Sequence, residues 1–158
     1  MKKKTKVYVD TSVIGGCFDP EFQLWSNGLF QDFRNGIYIP VISEIVVAEI
    51  AEAPQNIIQK YSELLDYNPV VLELNDKVID LANAYIKRNI LSENFLDDAR
   101  HIAIASIFEV DLLVSWNFGH IVHFDKIRMF NSVNLENGYK VINIYSPREV
   151  TTYDIEND

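Results

Sequence analysis

The stretch Lys6-Val7-Tyr8-Val9-Asp10 sets the reading of the chain. Val and Tyr fit a pleated surface, so the apolar run reads as a short buried strand, and a carboxylate closes it. The same pattern recurs outward from it. Residues 37–42 read as a second strand followed by Ser43, which can cap a helix through Ala48, Glu49 and Ile50 that ends near Pro54. Residues 70–74 read as a third strand, 112–116 as a fourth ending at Asn117, and 140–145 as the last. Helical patterns lie between them. Asp19-Pro20 reads as N-cap and first helical position for a helix carrying Phe22, Trp25, Leu29 and Phe33, stopped by Gly36. Ile57, Ile58, Tyr61, Leu64 and Leu65 mark another helix; Asn75 opens the next, with Lys87 and Arg88 at its dipole-negative end. After Ser92 a helix carries Asp98, Ile102 and Ala105, and residues 125–137 form one closed by Gly138. Parallel neighbours need an intervening crossover, so the fold class is α/β, a three-layer α/β/α arrangement around a central, mostly parallel sheet.

The chain has 158 residues, 48% of them apolar and 23% charged, which suits one self-sufficient core and argues against disorder. No repeat or linker interrupts it, so residues 1–150 are expected to form a single domain, followed by an acidic tail at 151–158 that lacks apolar periodicity and should fray. A net charge of −9 weighs against a broad nucleic-acid-binding surface and confines any RNA contact to a local patch. Cys17 is the only cysteine, which excludes an intrachain disulfide or a cysteine-based zinc cluster and fits a reducing compartment. Lys2, Lys3 and Lys4 look like the start of a signal peptide, but Asp10 interrupts the apolar run after them. No run approaches the roughly 18 apolar residues that span a bilayer, so a soluble, cytosolic chain without membrane contact is expected.

In open α/β sheets ligands sit beyond the carboxyl ends of the strands, which draws attention to the polar residue after each apolar run. Asp10 and Asn117 are such residues and would share an edge if their strands are parallel neighbours. Glu49 and Asp98 are carboxylates in otherwise hydrophobic helical surroundings. Carboxylates brought close together raise one another's pKa unless a cation neutralises them, and hard ions such as Mg²⁺ or Mn²⁺ prefer oxygen ligands. A water activated beside such an ion can attack phosphorus, so the chemistry would be phosphodiester hydrolysis.

The segment Val7-Tyr8-Val9-Asp10-Thr11-Ser12-Val13-Ile14 resembles the opening motif of the PIN-domain nucleases, a family that includes the VapC toxins of bacterial toxin-antitoxin pairs. Residues 43–50, with the acid at Glu49, resemble the second motif, residues 98–105 the third, and Leu113-Val114-Ser115-Trp116-Asn117-Phe118 the fourth. The resemblance spans about residues 6–147 and implies a PIN-like sheet flanked by helices, with a Mg²⁺ or Mn²⁺ site that hydrolyses RNA. It implies Asp10, Glu49 and Asp98 as metal ligands and catalytic residues, Asp10 most directly, with Glu49 binding through water or orienting the attacking water. Asn117 is the fourth catalytic position, and Ser12 and Arg100 stand near the motifs as substrate-binding residues. A small antitoxin protein covering the site is the implied partner, and exposed apolar helices leave room for a homodimer. Two departures matter. Asn117 stands where many relatives carry Asp, and His120 where they often carry an acid, so a second metal is in doubt.

Blander readings accompany these. Asp97 is read as a solvated residue of a helix N-terminus, Asp111 as a turn residue at the opposite edge, and Trp25 and Trp116 as core rather than base platforms. His101, His120 and His123 lack zinc-ligand spacing and are read as solvated or capping. Lys87, Arg88, Lys126 and Arg128 are read as surface charges. The competing function is a PIN-fold RNA- or protein-binding module that has lost catalysis. A phosphoacceptor receiver domain is disfavoured, because neither an acidic pair near the first strand nor a late lysine is evident.

Overall fold

The central apolar runs become strands because they are buried on both sides, as a parallel sheet covered by helices requires, while the edge strands keep exposed residues such as Val70, Val71 and Tyr145. The computed structural model describes residues 3–152. In chain order the elements are β1 (Thr5–Val9), α1 (Thr11–Gly16), α2 (Gln23–Arg34), β2 (Tyr38–Ser43), α3 (Glu44–Ile50), α4 (Gln55–Leu65), β3 (Val70–Leu72) and α5 (Asp76–Lys87). After a 3-10 turn at Glu93–Phe95 come α6 (Leu96–Ile107), β4 (Leu112–Val114), α7 (Phe124–Glu136), β5 (Ile144–Tyr145) and α8 (Pro147–Val150).

The sheet has five strands in the order β3-β2-β1-β4-β5, and every pairing is parallel. β1 is central: Val7 pairs with Pro40 of β2 and with Leu112 of β4. Val7, Tyr8 and Val9 have no solvent exposure. The chain builds outward from β1 through β2 to β3, then returns to the other side of β1 for β4 and β5. Right-handed crossovers therefore divide the helices between the two faces. α1 packs against α2, α3 and α4, and α5 packs against α6 and α7. The reversal point lies between β1 and β4, where such sheets open a crevice at their carboxyl edge. The α/β/α expectation holds, with a sheet that is parallel throughout.

Local signals act as their chemistry dictates at two helix starts. Ser43 accepts hydrogen bonds from the backbone N–H groups of Ile45 and Val46, and Asn75 accepts one from that of Val78. Elsewhere packing overrides them. Asp19-Pro20 makes a turn: the Asp19 carbonyl accepts from the N–H groups of Phe22 and Gln23, and α2 begins only at Gln23. α1 and α8 have no counterpart in the sequence reading. α1 forms from a stretch with two glycines because Val13 and Ile14 are buried and because Gly16 permits close approach. A Cβ at Gly16 would lie 2.6 Å from both Ser26 Oγ and Trp116 Nε1. The last strand keeps only two residues, since the Asn131 side chain bonds both the N–H and the carbonyl of Ile142 in place of a ladder.

The chain does not fray at Thr151. Thr151 is buried and its hydroxyl donates to Asp32 Oδ2 at 3.1 Å; the Thr152 N–H donates to the same oxygen at 3.0 Å, and the Thr152 hydroxyl donates to Oδ1. The rest of the acidic tail, residues 153–158, lies outside the described residues, as do Met1 and Lys2. Among the described residues no helix is long and apolar enough to cross a membrane.

Candidate active site

Asp10 leaves the central strand with extended backbone and becomes the N-cap residue of α1, but its side chain does not cap that helix. The carboxylate turns toward β4. Oδ1 accepts from Ser12 Oγ and Oδ2 from Ser115 Oγ, each at 2.6 Å. Both hydroxyls are themselves fixed: Ser12 Oγ accepts from the Trp116 N–H and Ser115 Oγ from the Asn117 N–H, each at 2.9 Å. The result is a carboxylate only 4% exposed and clamped between the first turn of α1 and the end of β4. Burial raises its pKa; the charge of His101 and the two serine hydrogen bonds oppose that rise, and the charge of Glu49 adds to it.

Glu49 reaches the same edge from α3. Its Oε1 accepts from Thr11 Oγ1 at 3.1 Å and lies 2.6 Å from His101 Nε2. His101 is 2% exposed, and its other nitrogen is 2.7 Å from the Tyr8 hydroxyl, which is in turn 2.7 Å from Ser43 Oγ. This buried chain accommodates either state of the imidazole. A neutral ring accepts at Nδ1 from Tyr8, which accepts from Ser43; in the charged ring Nδ1–H donates to Tyr8, which donates to Ser43. Burial opposes the charged ring, but the hydrogen bond to Glu49 and the charges of Asp10, Glu49 and Asp98 outweigh it and raise its pKa. Burial also works against charge on Glu49, where the hydrogen bond and charge of His101 and the Thr11 bond prevail and lower its pKa.

Asp98, half-buried near the start of α6, faces the loop after β4. Its Oδ2 accepts from Asn117 Nδ2 at 3.3 Å and from His120 Nδ1 at 3.0 Å. Asn117 Oδ1 meanwhile accepts from the His120 N–H at 2.9 Å, a capping-type bond to the third residue on that holds the loop. An aspartate at 117 would set a second carboxylate against Asp98 with no hydrogen to donate, so the amide lets the two side chains meet without a cation. Phe95 lies against the His120 ring, with centroids 3.8 Å apart.

The structure thus brings Asp10, Glu49, Asp98, Asn117 and Ser12 to one edge of the sheet. It does not bring Arg100 there. Arg100 follows Asp98 by two positions, about 200° around the helix, and its Nε is buried without a hydrogen-bond partner. His101 and His120 depart from the solvated or capping reading, since both bind the acids of the cluster. The signal for His101 is weak: three positions from Asp98, it shares that helix face. Ser115 gives no such signal inside an apolar run. The bland readings hold elsewhere. Asp111 accepts from the Lys6 N–H at the opposite edge, Lys126 binds the Ile90 carbonyl, Arg88 pairs with Glu136, and Trp116 is buried.

Three carboxylates and an amide carbonyl are the right donor chemistry for a hard divalent ion. Among the described residues no group of three or more acid, histidine or cysteine side chains is arranged to hold a metal ion. Each acid is instead tied to its own hydroxyl, amide or imidazole partners, which an ion would have to displace.

No protein-family profile matches the sequence, and no curated protein matches it. Among solved structures the fold is similar to a chain in the crystal structure of VapBC2 from Rickettsia felis bound to a DNA fragment from their promoter. The TM-score is 0.55 over 90% of this chain and 98% of that one, at 14% sequence identity. At that identity the likeness is one of fold: the five-stranded parallel sheet with helices on both faces is an architecture shared with a chain of a VapBC complex.

Proposed function

We propose that the protein is a Mg²⁺- or Mn²⁺-dependent endoribonuclease acting as the toxin of a toxin-antitoxin pair. One observation carries the reading: Asp10, Glu49 and Asp98, from a strand end and two different helices, converge around one buried imidazole at the point where the sheet order reverses. Structural acids are more often dispersed and solvated. The order of the four motif resemblances and the fold likeness to a chain of VapBC2 support the same reading, including a small protein partner.

Asp10 and Asp98 are the residues that would hold the ion, which when bound supplies charge neutralisation and polarises the phosphoryl oxygen. Glu49 has a different role. Its Oε1 already faces two donors, so Oε2 is left to orient a water, and His101 fixes the carboxylate for that task. Asn117 aims Asp98, and Ser12 and Ser115 aim Asp10. A catalytically impaired RNA- or protein-binding module is the second reading, favoured by the protein hydrogen bonds that already engage each acid.

Purified protein incubated with mixed RNAs and Mn²⁺ or Mg²⁺ separates the two. Cleavage that stops with chelator and in Asp10→Asn and Asp98→Asn supports the nuclease. Cleavage that survives both substitutions removes this mechanism, and RNA binding without turnover selects the binding module.

A further inference from the structure

Asn117 divides the carboxyl edge in two. Its amide reaches Asp98, while the rings on either side of it, Trp116 and Phe118, gather with Phe22. The Trp116 indole is locked in place: Nε1 donates to Ser26 Oγ at 2.8 Å, and the ring stacks on Phe22 with centroids 4.1 Å apart and planes 15° from parallel. Phe118 stands nearly edge-on to it at 6.1 Å and is 48% exposed. From α8 the Arg148 guanidinium lies 4.8 Å from the centre of the Trp25 ring. These groups line a notch of about 330 Å³ together with Ser146, and with the exposed Glu21 and Glu149 at its rim. Two hydrogen bonds join the notch to the acids, from the Trp116 N–H to Ser12 Oγ and from Ser12 to Asp10.

We infer that this notch seats one unpaired nucleobase of the RNA, next to the phosphate presented to the acidic cluster; the inference rests on the nuclease reading. The exposed Phe118 ring, backed by the locked Trp116 and Phe22, offers stacking surface to any base, and the Arg148 guanidinium adds to the attraction. The two rim carboxylates repel phosphate, so the base enters and the backbone stays outside. They also accept hydrogen bonds from exocyclic amino groups, which favours adenine, cytosine and guanine over uracil. Duplex RNA is excluded, because its bases have no free face. A local recognition element of this kind is what a chain of net charge −9 needs in place of a basic surface.

Both tryptophans of the chain, Trp25 and Trp116, stand in this wall, so intrinsic fluorescence reports on the notch. The experiment titrates the protein in chelator, where no cleavage occurs, with ribo-oligonucleotide hexamers of A, C or U. The A and C hexamers should quench the emission and U should bind more weakly. Phe118→Ala should weaken binding about tenfold, with Phe118→Tyr close to the parent and Arg148→Gln losing less. Equal affinity of the parent, Phe118→Ala and Arg148→Gln overturns the proposal, as does the absence of quenching by every hexamer. Equal binding of U overturns the role of the rim. A protein partner that occupies the notch and is not displaced by RNA also overturns it. If the hexamers bind through Phe118 but Mn²⁺ gives no cleavage, the notch stands and the nuclease reading falls. If Phe118→Ala binds and cleaves RNA like the parent, the reverse holds.

Discussion

Two aspartates in this molecule are buried to nearly the same degree, Asp10 at 4% exposure and Asp32 at 2%, and both accept hydrogen bonds from hydroxyl groups. Around Asp32 the partners are Thr151 and Thr152, just after α8, and the adjacent Tyr38 hydroxyl adds a bond to the Val150 carbonyl. That cluster is a clasp. Around Asp10 the serine partners come from α1 and the end of β4, while α3 and α6 bring the carboxylates of Glu49 and Asp98 and the imidazole of His101 to act on the same cluster. A buried acid is thus not evidence of a site until other charges converge on it.

Substitution should separate the two. In Asp10→Asn, RNA cleavage should fall about a hundredfold or more while the fold becomes more heat-stable. The sign follows from the raised pKa: a buried carboxyl that holds its proton more tightly folded than unfolded costs stability when ionised, and this cost disappears only as the pH falls below the ordinary value of 3.8. A lower melting temperature in calorimetry would contradict that account. Asp32→Ala should do the opposite, costing about 3 kcal/mol of unfolding free energy in urea titration through lost charge-assisted hydrogen bonds. Its cleavage rate at low temperature should stay unchanged. Loss of cleavage with the protein still folded would make the clasp part of the site and dissolve the comparison.

A subtler effect belongs to the His101–Glu49 pair. Glu49, with a lowered pKa, adds stability that is present above its ordinary value of 4.5 and lost as the pH falls through the lower folded value. His101, with a raised pKa, adds stability that is complete below 6.5 and lost as the pH rises through the higher folded value. The stability difference between the parent and His101→Gln should therefore be greatest between those two values and smaller in alkaline solution. A pH-independent difference in denaturant titrations would mean that the ring acts only through packing. The smallest change expected is in Asn117→Asp. Restoring a carboxylate beside Asp98 should lower the Mn²⁺ concentration needed for half-maximal cleavage, and an unchanged metal requirement would make position 117 a loop-holding residue alone.

Much of the fold was legible because its signals are local. Ser43 and Asn75 cap the helices they precede, and short apolar runs closed by polar residues became strands. The start of α2 was misread because Asp19-Pro20 serves a turn as well as a helix, and α1 stayed hidden because its six residues gain helicity from burial rather than propensity. At the site, Asp10, Glu49, Asp98 and Asn117 could be named in advance, since each interrupts an apolar pattern. His101 could not, because a histidine on an apolar helix face reads the same whether it is packed or paired.

The amino-acid sequence by itself determined the alternation of strand and helix, and with it the parallel sheet and the edge at which Asp10 and Asn117 emerge, because hydrophobic period and crossover geometry are properties of neighbouring residues. Only the tertiary structure decided which polar groups meet there. His101 finds Glu49 across 52 residues and Thr151 finds Asp32 across 119, and such pairings depend on how whole helices are rotated and seated against the sheet.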